Sequence, residues 1–193
     1  MAGDPDDDGY EEKKIQYERA IAYLKTSETG AALISKLETS KQTVTINLNP
    51  RESGGYSAET KSIDWLPTQG RVLGDKKSVV SPALVLAHEF GHAAQDLDGE
   101  RTKLDITTLR PPDRHELEAA NLKRYEIPIA KELGEFQRKD HSDKSKWVRV
   151  GNSTDWGTIR TVRTFRDYVF NWSNWGKPSK VFENKNTWKP PMK

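Results

Sequence analysis

The sequence predicts one soluble α+β domain, and three observations lead to that prediction. The chain has 193 residues, which is the length of a single domain. Some segments repeat apolar residues at helical spacing, whereas others alternate apolar and polar residues as strands do. No window approaches 18 consecutive apolar residues, which excludes a transmembrane helix. The low hydrophobic fraction, 34%, indicates that part of the chain is disordered or depends on a partner.

The first third of the chain is predicted to form two helices followed by two strands. Residues 10–26 and 27–40 each repeat apolar side chains along one helical face. Residues 43–49 alternate Val, Ile and Leu with Thr and Asn, which is typical of a half-buried strand. A second short strand is predicted at 61–67, where a proline closes it.

The strongest helix signal follows two predicted loops, at 53–56 and 68–80. Ser81 is a favourable N-cap, and the proline after it suits the first helical position because its missing N–H costs nothing there. A largely apolar helix is therefore predicted over 82–95. The polar, glycine-containing stretch 96–99 supplies the stop.

A second helical region is predicted after a loop at 100–112. Asp113 can cap a helix over 114–126, and Pro128 is expected to end or kink it. Residues 129–138 are predicted to continue helically past the bend.

The two ends of the chain differ in charge from the middle. Residues 1–9 read as a disordered acidic tip, 10–141 as the main domain and 142–193 as a β-prone extension that packs on it. The extension has eleven basic and four acidic residues, and short strands are predicted in its segments WVRV, TIRTVRTF and YVFNW. It also holds five of the six tryptophans: Trp147, Trp156, Trp172, Trp175 and Trp188.

The segment that carries chemistry is His88-Glu89-Phe90-Gly91-His92, an H-E-x-x-H motif. On an α-helix, residues i and i+4 lie on one face, so both imidazoles can reach one zinc ion. The glutamate between them is then placed to take a proton from zinc-bound water. Chance would produce roughly 0.006 such motifs in a chain of this composition, so a coincidental match is a poor explanation.

A catalytic zinc ion usually has a third protein ligand and one open position. The chain has no cysteine, so that ligand must be a histidine or a carboxylate. The remaining histidines, His115 and His141, do not have the spacing of a third ligand directly after the motif. Spacing alone does not choose among the glutamates of the following helical region: Glu116, Glu118, Glu126, Glu132 and Glu135.

Beyond the motif, the chain resembles the NleD-type effector metallopeptidases. The similarity runs over about residues 60–141: an I-x-W-x-P strand at 63–67, then LAHEFGHAAQDLDGE, then ELEAANLKRYEIPIAKELGEFQRKDH. Members of this family are zinc endopeptidases that occur as secreted effectors and as toxin domains. The resemblance implies a zincin-like fold with an active-site helix and a small mixed sheet. An outer strand, from 43–49 or 61–66, would lie above that helix and pair with an extended substrate.

The resemblance also assigns roles to individual residues. It implies that His88 and His92 bind zinc, that Glu89 is the general base and that Glu118 is the third ligand. Glu126 is the alternative ligand, or a residue that orients a histidine.

The family pattern continues with an R-x-x-Y pair, which implies an arginine and a tyrosine that stabilise the tetrahedral intermediate. Arg138 fills the first position, and His141 stands where the tyrosine would be. A histidine can donate there only in the right tautomer or when protonated. Ile127 and Phe136 also depart from the pattern, which usually has Asn and Pro at these positions.

The resemblance predicts a zinc endopeptidase that is secreted without a classical signal peptide and cleaves a protein in the target-cell cytoplasm. A secretion chaperone or an immunity protein is a further expected partner, whereas a membrane or nucleic acid is not. The alternative is a zincin-like binding module that uses the tryptophan-rich extension to dock a partner, with its zinc structural or its activity lost. A zinc hydrolase that acts on another bond is a third possibility. The substrate is not predicted.

Overall fold

A computed structural model describes residues 9–51, 53–100, 111–144, 146–162 and 179–190. The predicted α+β class is confirmed, since helices and two sheets share one chain. The helices are α1 (Tyr10–Leu24), α2 (Glu28–Glu38), α3 (Pro82–Leu97), α4 (Pro111–Asn121) and α5 (Ile127–Leu133). The strands are β1 (Thr45–Asn47), β2 (Tyr56–Ser57), β3 (Ser62–Asp64), β4 (Gln69–Val72), β5 (Ser78–Val80), β6 (Trp147–Arg149), β7 (Gly157–Val162) and β8 (Ser179–Asn184).

The strands form two sheets. The three-stranded sheet has the order β1-β3-β2, with β1 parallel and β2 antiparallel to β3. The five-stranded sheet has the order β6-β4-β5-β7-β8 and is antiparallel throughout. Because β3 is the central strand of its sheet, the predicted outer strand at 61–66 is wrong. The other candidate, 43–49, contains β1, which is an outer strand. The second outer strand, β2, contacts α3.

Three strands lie in segments that were predicted to be loops. β2 overlaps the predicted turn at 53–56, and the predicted loop at 68–80 contains both β4 and β5. These strands have two to four residues each, too few to establish an alternating pattern in the sequence. Pairing with other strands stabilises them instead: β2 pairs with β3, β4 pairs with β5 and β6, and β5 also pairs with β7.

The core forms where α1, α2 and the three-stranded sheet meet α3. Helix α3 is buried on nearly every side, because other helices and strands pack around it. The largest fully buried side chain is Trp65, whose indole N–H donates to the Pro82 carbonyl at the start of α3 (2.8 Å). Among the residues that the structure describes, none of the helices combines the length and apolar character that crossing a bilayer demands.

The helical region after residue 110 differs from the prediction at both ends. It begins at Pro111 rather than after Asp113, because prolines fit a first helical turn that needs no N–H donors. Pro128 does not end it: a π-helical turn, Leu122–Glu126, joins α4 to α5. In a regular α-helix, the ring of Pro128 would clash with the carbonyl of the residue four positions earlier. That residue lies within the π-turn, where the backbone departs from regular α-helical winding. Helix α5 ends at Gly134, whose φ of 73° is left-handed, so the predicted helix over 134–138 is wrong.

The extension joins the five-stranded sheet through β6, β7 and β8. The turn that follows β6 also contacts α1, because the buried Ser153 donates its hydroxyl to the Gln16 carbonyl (2.7 Å). Trp156 packs edge-on against Phe136, and Trp188 lies 5.2 Å from the Tyr23 ring. Several predicted features lie outside the described residues: the acidic tip up to residue 8, most of the loop 100–112, the strand YVFNW, Trp172 and Trp175.

Candidate metal centre

Helix α3 carries the H-E-x-x-H motif into the interior of the protein. Its N-cap is Ser81, as predicted, with the side-chain oxygen accepting from Leu84 N–H (3.0 Å). Gly91 allows the C-terminal end of α4 to pack closely against α3, because a Cβ at position 91 would overlap the Asn121 side-chain amide. Asn121 is fully buried and donates to the His88 carbonyl (2.9 Å), which fixes the two helices against each other.

Three side chains bring their ligand atoms to one point. His88 Nε2 and His92 Nε2 are 3.1 Å apart, and Glu118 Oε2 lies 3.3 Å from the first and 3.2 Å from the second. Tetrahedral ligands held at about 2.0–2.1 Å from a zinc ion are about 3.3 Å from one another. The triangle therefore has the dimensions that a small divalent ion requires.

The other nitrogen of His88 is held by a carboxylate and a guanidinium group. His88 Nδ1 lies 2.7 Å from Glu126 Oε2 and 3.0 Å from Arg138 Nη2. Arg138 pairs with Glu126 through two hydrogen bonds, of which Nε to Oε1 measures 2.6 Å. Both side chains are almost completely buried, so they form a closed pair behind the imidazole ring.

The π-turn explains how one helical region presents two glutamates to the same histidine. Glu118 and Glu126 are eight residues apart, which on a regular α-helix is about 80° beyond two full turns. A π-turn takes up one extra residue, because its bond runs from Ile127 N–H to the Leu122 carbonyl, five residues back. Both glutamates then lie on the face towards α3.

His92 is oriented by a residue on its own helix. His92 Nδ1 lies 3.0 Å from Gln95 Oε1, and the Gln95 amide donates to the Leu117 carbonyl (2.9 Å). When His92 Nδ1 donates to Gln95, His92 Nε2 keeps a lone pair, which is available to a metal ion held between this nitrogen and Glu118. Gln95 was not predicted as a site residue, although its spacing of three residues from His92 places it on the same helical face.

Glu89 is in contact with β2. Its Oε2 atom accepts a hydrogen bond from the Tyr56 backbone N–H (2.8 Å). The Tyr56 hydroxyl donates to Asp96 Oδ2 (2.7 Å), two turns further along α3, and Lys61 Nζ contacts the same oxygen (2.6 Å). Tyr56 thus spans α3 from Glu89 to Asp96. A backbone donor leaves no signal in the sequence, so this contact could not be predicted.

Electrostatics favour positive charge at the centre of the site. Burial acts to lower the pKa of His88, but the neighbouring carboxylates of Glu118 and Glu126 raise it to about 9. The carboxyl groups respond in the opposite direction: against the effect of burial, the histidines hold the pKa of Glu118 well below its usual range. Arg138 and His88 lower that of Glu126 to about 2. The site is built to hold a cation, either a proton or a metal ion.

The other glutamates of the helical region either accept hydrogen bonds near the start of another helix or are exposed. Glu132 accepts from Ser27 and Thr29 at the start of α2, and Glu116 is exposed. Glu135 is buried beneath the start of α3, where it accepts from the Ser81 N–H (2.9 Å) and hydroxyl (2.7 Å) and from the Tyr23 hydroxyl.

Replacing Glu135 with glutamine should change how stability depends on pH. Burial raises the pKa of Glu135 to about 7, against hydrogen bonds from Ser81 and Tyr23 that lower it. The folded form therefore binds the proton more tightly than the unfolded form, so this group's contribution to stability is complete below pH 4.5 and is lost as the pH rises towards 7. Urea unfolding should show Glu135→Gln gaining about 1–3 kcal/mol relative to wild type between pH 5 and pH 8.

The exposed Glu116, changed to glutamine in the same way, controls for the loss of one carboxyl group. A stability difference between Glu135→Gln and wild type that stays constant over this pH range would contradict the prediction.

His141 approaches the site from the chain segment after α5. Its Nδ1 lies 2.9 Å from Glu118 Oε2, and its Nε2 lies 2.9 Å from Lys144 Nζ. Burial lowers the pKa of His141, helped by the charges of Lys144 and Arg138 and opposed by Glu118. Arg138, the other residue expected at the oxyanion, contacts Glu126 and His88 Nδ1. The oxyanion roles of Arg138 and His141 stay predictions.

The donor set fits a metal ion. Ligand atoms of His88, Glu118 and His141 lie within 4.8 Å of one another and could hold one. His92 Nε2 completes the smaller triangle with His88 and Glu118, and its Nδ1 is held by Gln95, so we assign greater weight to that triangle. Within the described parts of the chain, Glu118 Oε2 and His141 Nδ1 are buried polar atoms without a hydrogen-bond partner. A cation would satisfy the oxygen.

Comparison with known proteins identifies a family for the chain. Searches of curated proteins and of solved structures found no match. The model of the Peptidase_M91 family, described as effector proteins, matches residues 3–140 and so covers the motif, Glu118 and Glu126. This match confirms the resemblance to the NleD-type effector peptidases that the sequence showed. The chain belongs to the Peptidase_M91 family of effector proteins.

Proposed function

We propose that this chain is a zinc-dependent endopeptidase that acts as an effector on a protein of the target cell. The observation that carries the proposal is the 3.1–3.3 Å triangle of His88, His92 and Glu118, together with Glu89 on the helix that carries both histidines. Family membership supports peptide-bond hydrolysis, and a peptidase effector implies a protein substrate. The zincin-like arrangement, with an outer strand beside the active-site helix, is part of the proposal.

In this mechanism, His88, His92 and Glu118 hold the zinc ion. When bound, zinc lowers the pKa of water to about 7 and polarises the scissile carbonyl. Glu89 takes the proton of the attacking water and later delivers it to the leaving amine. Because Tyr56 N–H donates to Glu89 Oε2, we assign the proton to Oε1.

The remaining residues hold these groups in place. Glu126 accepts from His88 Nδ1, and Arg138 neutralises Glu126, so that His88 presents Nε2 to the metal. Gln95 does the same for His92. The buried contacts of Arg138 support this positioning role in addition to the expected one at the oxyanion.

The polypeptide near Glu89 supports a substrate bound as an extended strand. β2 is an outer strand of its sheet and lies against α3 at Glu89. A substrate that runs beside it would be recognised by backbone hydrogen bonds, with modest demand on sequence.

Metal content and proteolysis together test the proposal. Purified wild-type protein should contain about one zinc ion per chain, and changing His88 and His92 together to alanine should remove it. Terminal-peptide mass spectrometry of target-cell lysate should find new termini that a chelator abolishes. Zinc that survives the double change would refute the assigned metal site. A zinc-loaded protein that produces no new termini would instead favour the binding-module alternative.

A further inference from the structure

Asp96 is a buried carboxylate that collects hydrogen bonds from three separate segments of the chain. Its Oδ2 atom accepts from the Tyr56 hydroxyl of β2 (2.7 Å), from Lys61 Nζ in the turn before β3 (2.6 Å) and from Gln42 Nε2 before β1 (3.3 Å). The Asp96 side chain is only 1% exposed. These four residues form the Asp96 hub. Asp96 lies on α3 beyond the H-E-x-x-H motif, and the proposed mechanism gives it no role.

The tyrosine of the hub also contacts the group proposed as the general base. Tyr56 donates its backbone N–H to Glu89 Oε2 (2.8 Å). Glu89 and Asp96 are separated by almost two full turns of α3, so both lie on one face of the helix. Tyr56 is therefore attached to that face at two points, through its amide at Glu89 and through its hydroxyl at Asp96.

The position of β2 depends on contacts outside its sheet. β2 has two residues, which pair with Ile63 and Ser62 of β3. Strand pairing of this length is marginal in water, so the Asp96 hub adds the attachment that the ladder lacks. Lys61 has a left-handed backbone conformation (φ 52°), which is uncommon for a lysine and costs free energy, and it reaches Asp96 from there.

A purely stabilising role explains the hub poorly. Asp96 Oδ1 is buried and has no hydrogen-bond partner among the described residues. A buried carboxylate oxygen without a partner costs free energy of folding, and so does the left-handed lysine. Both costs are compatible with a hub whose role is to fix the position of Tyr56 against α3.

We infer that Asp96 and the Tyr56 hydroxyl are positioning groups that keep the Tyr56 N–H on Glu89 Oε2, so that Oε1 faces the attacking water. This inference rests on the proposed peptidase function. A carboxylate that rotates freely spends only part of its time in the orientation that takes the proton, whereas one held at Oε2 is preorganised for that step. The hub acts through Glu89, which is itself the catalytic group.

Amide hydrogen exchange followed by NMR tests the positioning step without any need for activity. In Tyr56→Phe, the amide of residue 56 should exchange about 10-fold faster or more than in wild type, because β2 loses its hydrogen bond to a charged group of α3. The Trp65 N–H, which donates to the Asn47 carbonyl in the same sheet (3.0 Å), should change less than about 3-fold. Equal acceleration at both amides would show that the hydroxyl only stabilises the fold, and would overturn the inference.

Kinetics test the consequence with a synthetic peptide that spans a cleavage site found in lysate. Tyr56→Phe should lower kcat about 10-fold, a part of the 10²–10⁴ that a general base contributes. KM and zinc content should change less than about 3-fold, because the variant disturbs the proton step and leaves the metal ligands in place.

Variants of Asp96 test whether the two groups act as one unit. Asp96→Ala should lower kcat at least as much as Tyr56→Phe, and combining the two changes should cause little further loss, because both break the same contact. Asp96→Asn should retain more activity than Asp96→Ala, since its side-chain oxygen still accepts from the tyrosine hydroxyl.

Two matched changes outside the hub serve as controls. Tyr10→Phe removes the hydroxyl of a half-buried tyrosine in α1, and Asp98→Ala removes an exposed carboxylate just beyond Asp96. Both should keep the wild-type exchange rate at the Tyr56 amide and the wild-type kcat.

The outcomes separate this inference from the proposed function. Unchanged exchange at residue 56 in Tyr56→Phe would overturn the inference, and so would altered exchange with a normal kcat. A raised KM with a normal kcat would show that the hub serves substrate pairing and would overturn its action through Glu89. Wild-type protein without zinc or cleavage would refute the proposed function and with it the catalytic consequence, whereas the exchange measurement still decides whether the hub holds the Tyr56 amide.

Discussion

Replacing Glu89 with glutamine should abolish most proteolysis and leave the zinc in place. The change removes the group that takes and delivers the proton, and such groups contribute about 10²–10⁴ in rate. Glu89 is not a corner of the ligand triangle, so the metal should stay. The glutamine oxygen can still accept the Tyr56 N–H that Glu89 Oε2 accepts now, so β2 should keep its position against α3.

Three measurements check this prediction: zinc content by mass spectrometry, thermal unfolding, and cleavage of a synthetic peptide that spans a site found by terminal-peptide mass spectrometry of lysate. Glu116→Gln, which changes an exposed glutamate of α4, is the matched control and should keep both zinc and activity. A Glu89→Gln protein that retains zinc and cleaves at the wild-type rate would exclude Glu89 as the general base. Loss of zinc in that variant would show that Glu89 contributes to metal binding.

The sequence predicted the parts of this site that depend on local periodicity. His88, Glu89 and His92 share a helix with a clear N-cap at Ser81, and an α-helix alone brings i and i+4 together. These features need no information about the rest of the fold.

The remaining features depend on contacts between distant segments. The position of Glu126 depends on the π-turn, which brings this residue onto the same helical face as Glu118. The Tyr56 N–H on Glu89 comes from a two-residue strand that exists because β3 pairs with it. Helix α5 ends just before Gly134, one turn earlier than the sequence pattern predicts. This early end allows Glu135 to contact Ser81 and Arg138 to contact Glu126.

Glu118 and Glu126 should differ sharply when each is changed to alanine. Glu118 Oε2 lies within 3.3 Å of both Nε2 atoms, so Glu118→Ala should lose most of its zinc. Of the two ligand histidines, Glu126 contacts His88 alone, at Nδ1, so Glu126→Ala should weaken zinc affinity about 10–100-fold, as a lost orienting partner does. Zinc titration with a competing chelator measures both effects. Complete loss of zinc in the Glu126 variant, with retention in the Glu118 variant, would exchange the two assignments.

Stability distinguishes the two residues independently of the metal. Glu126→Ala leaves the guanidinium of Arg138 buried and unpaired, which should cost about 3–5 kcal/mol, measured by urea unfolding of the metal-free protein. Changing Arg138 to methionine in the same protein removes the buried charge and should recover much of that loss. Glu118 contacts imidazole rings, which can give up a proton when the carboxylate is removed, whereas the guanidinium group of Arg138 cannot, so Glu118→Ala should cost less stability than Glu126→Ala. A Glu126→Ala protein as stable as wild type would contradict the inference that the buried Glu126–Arg138 pair holds His88 in place.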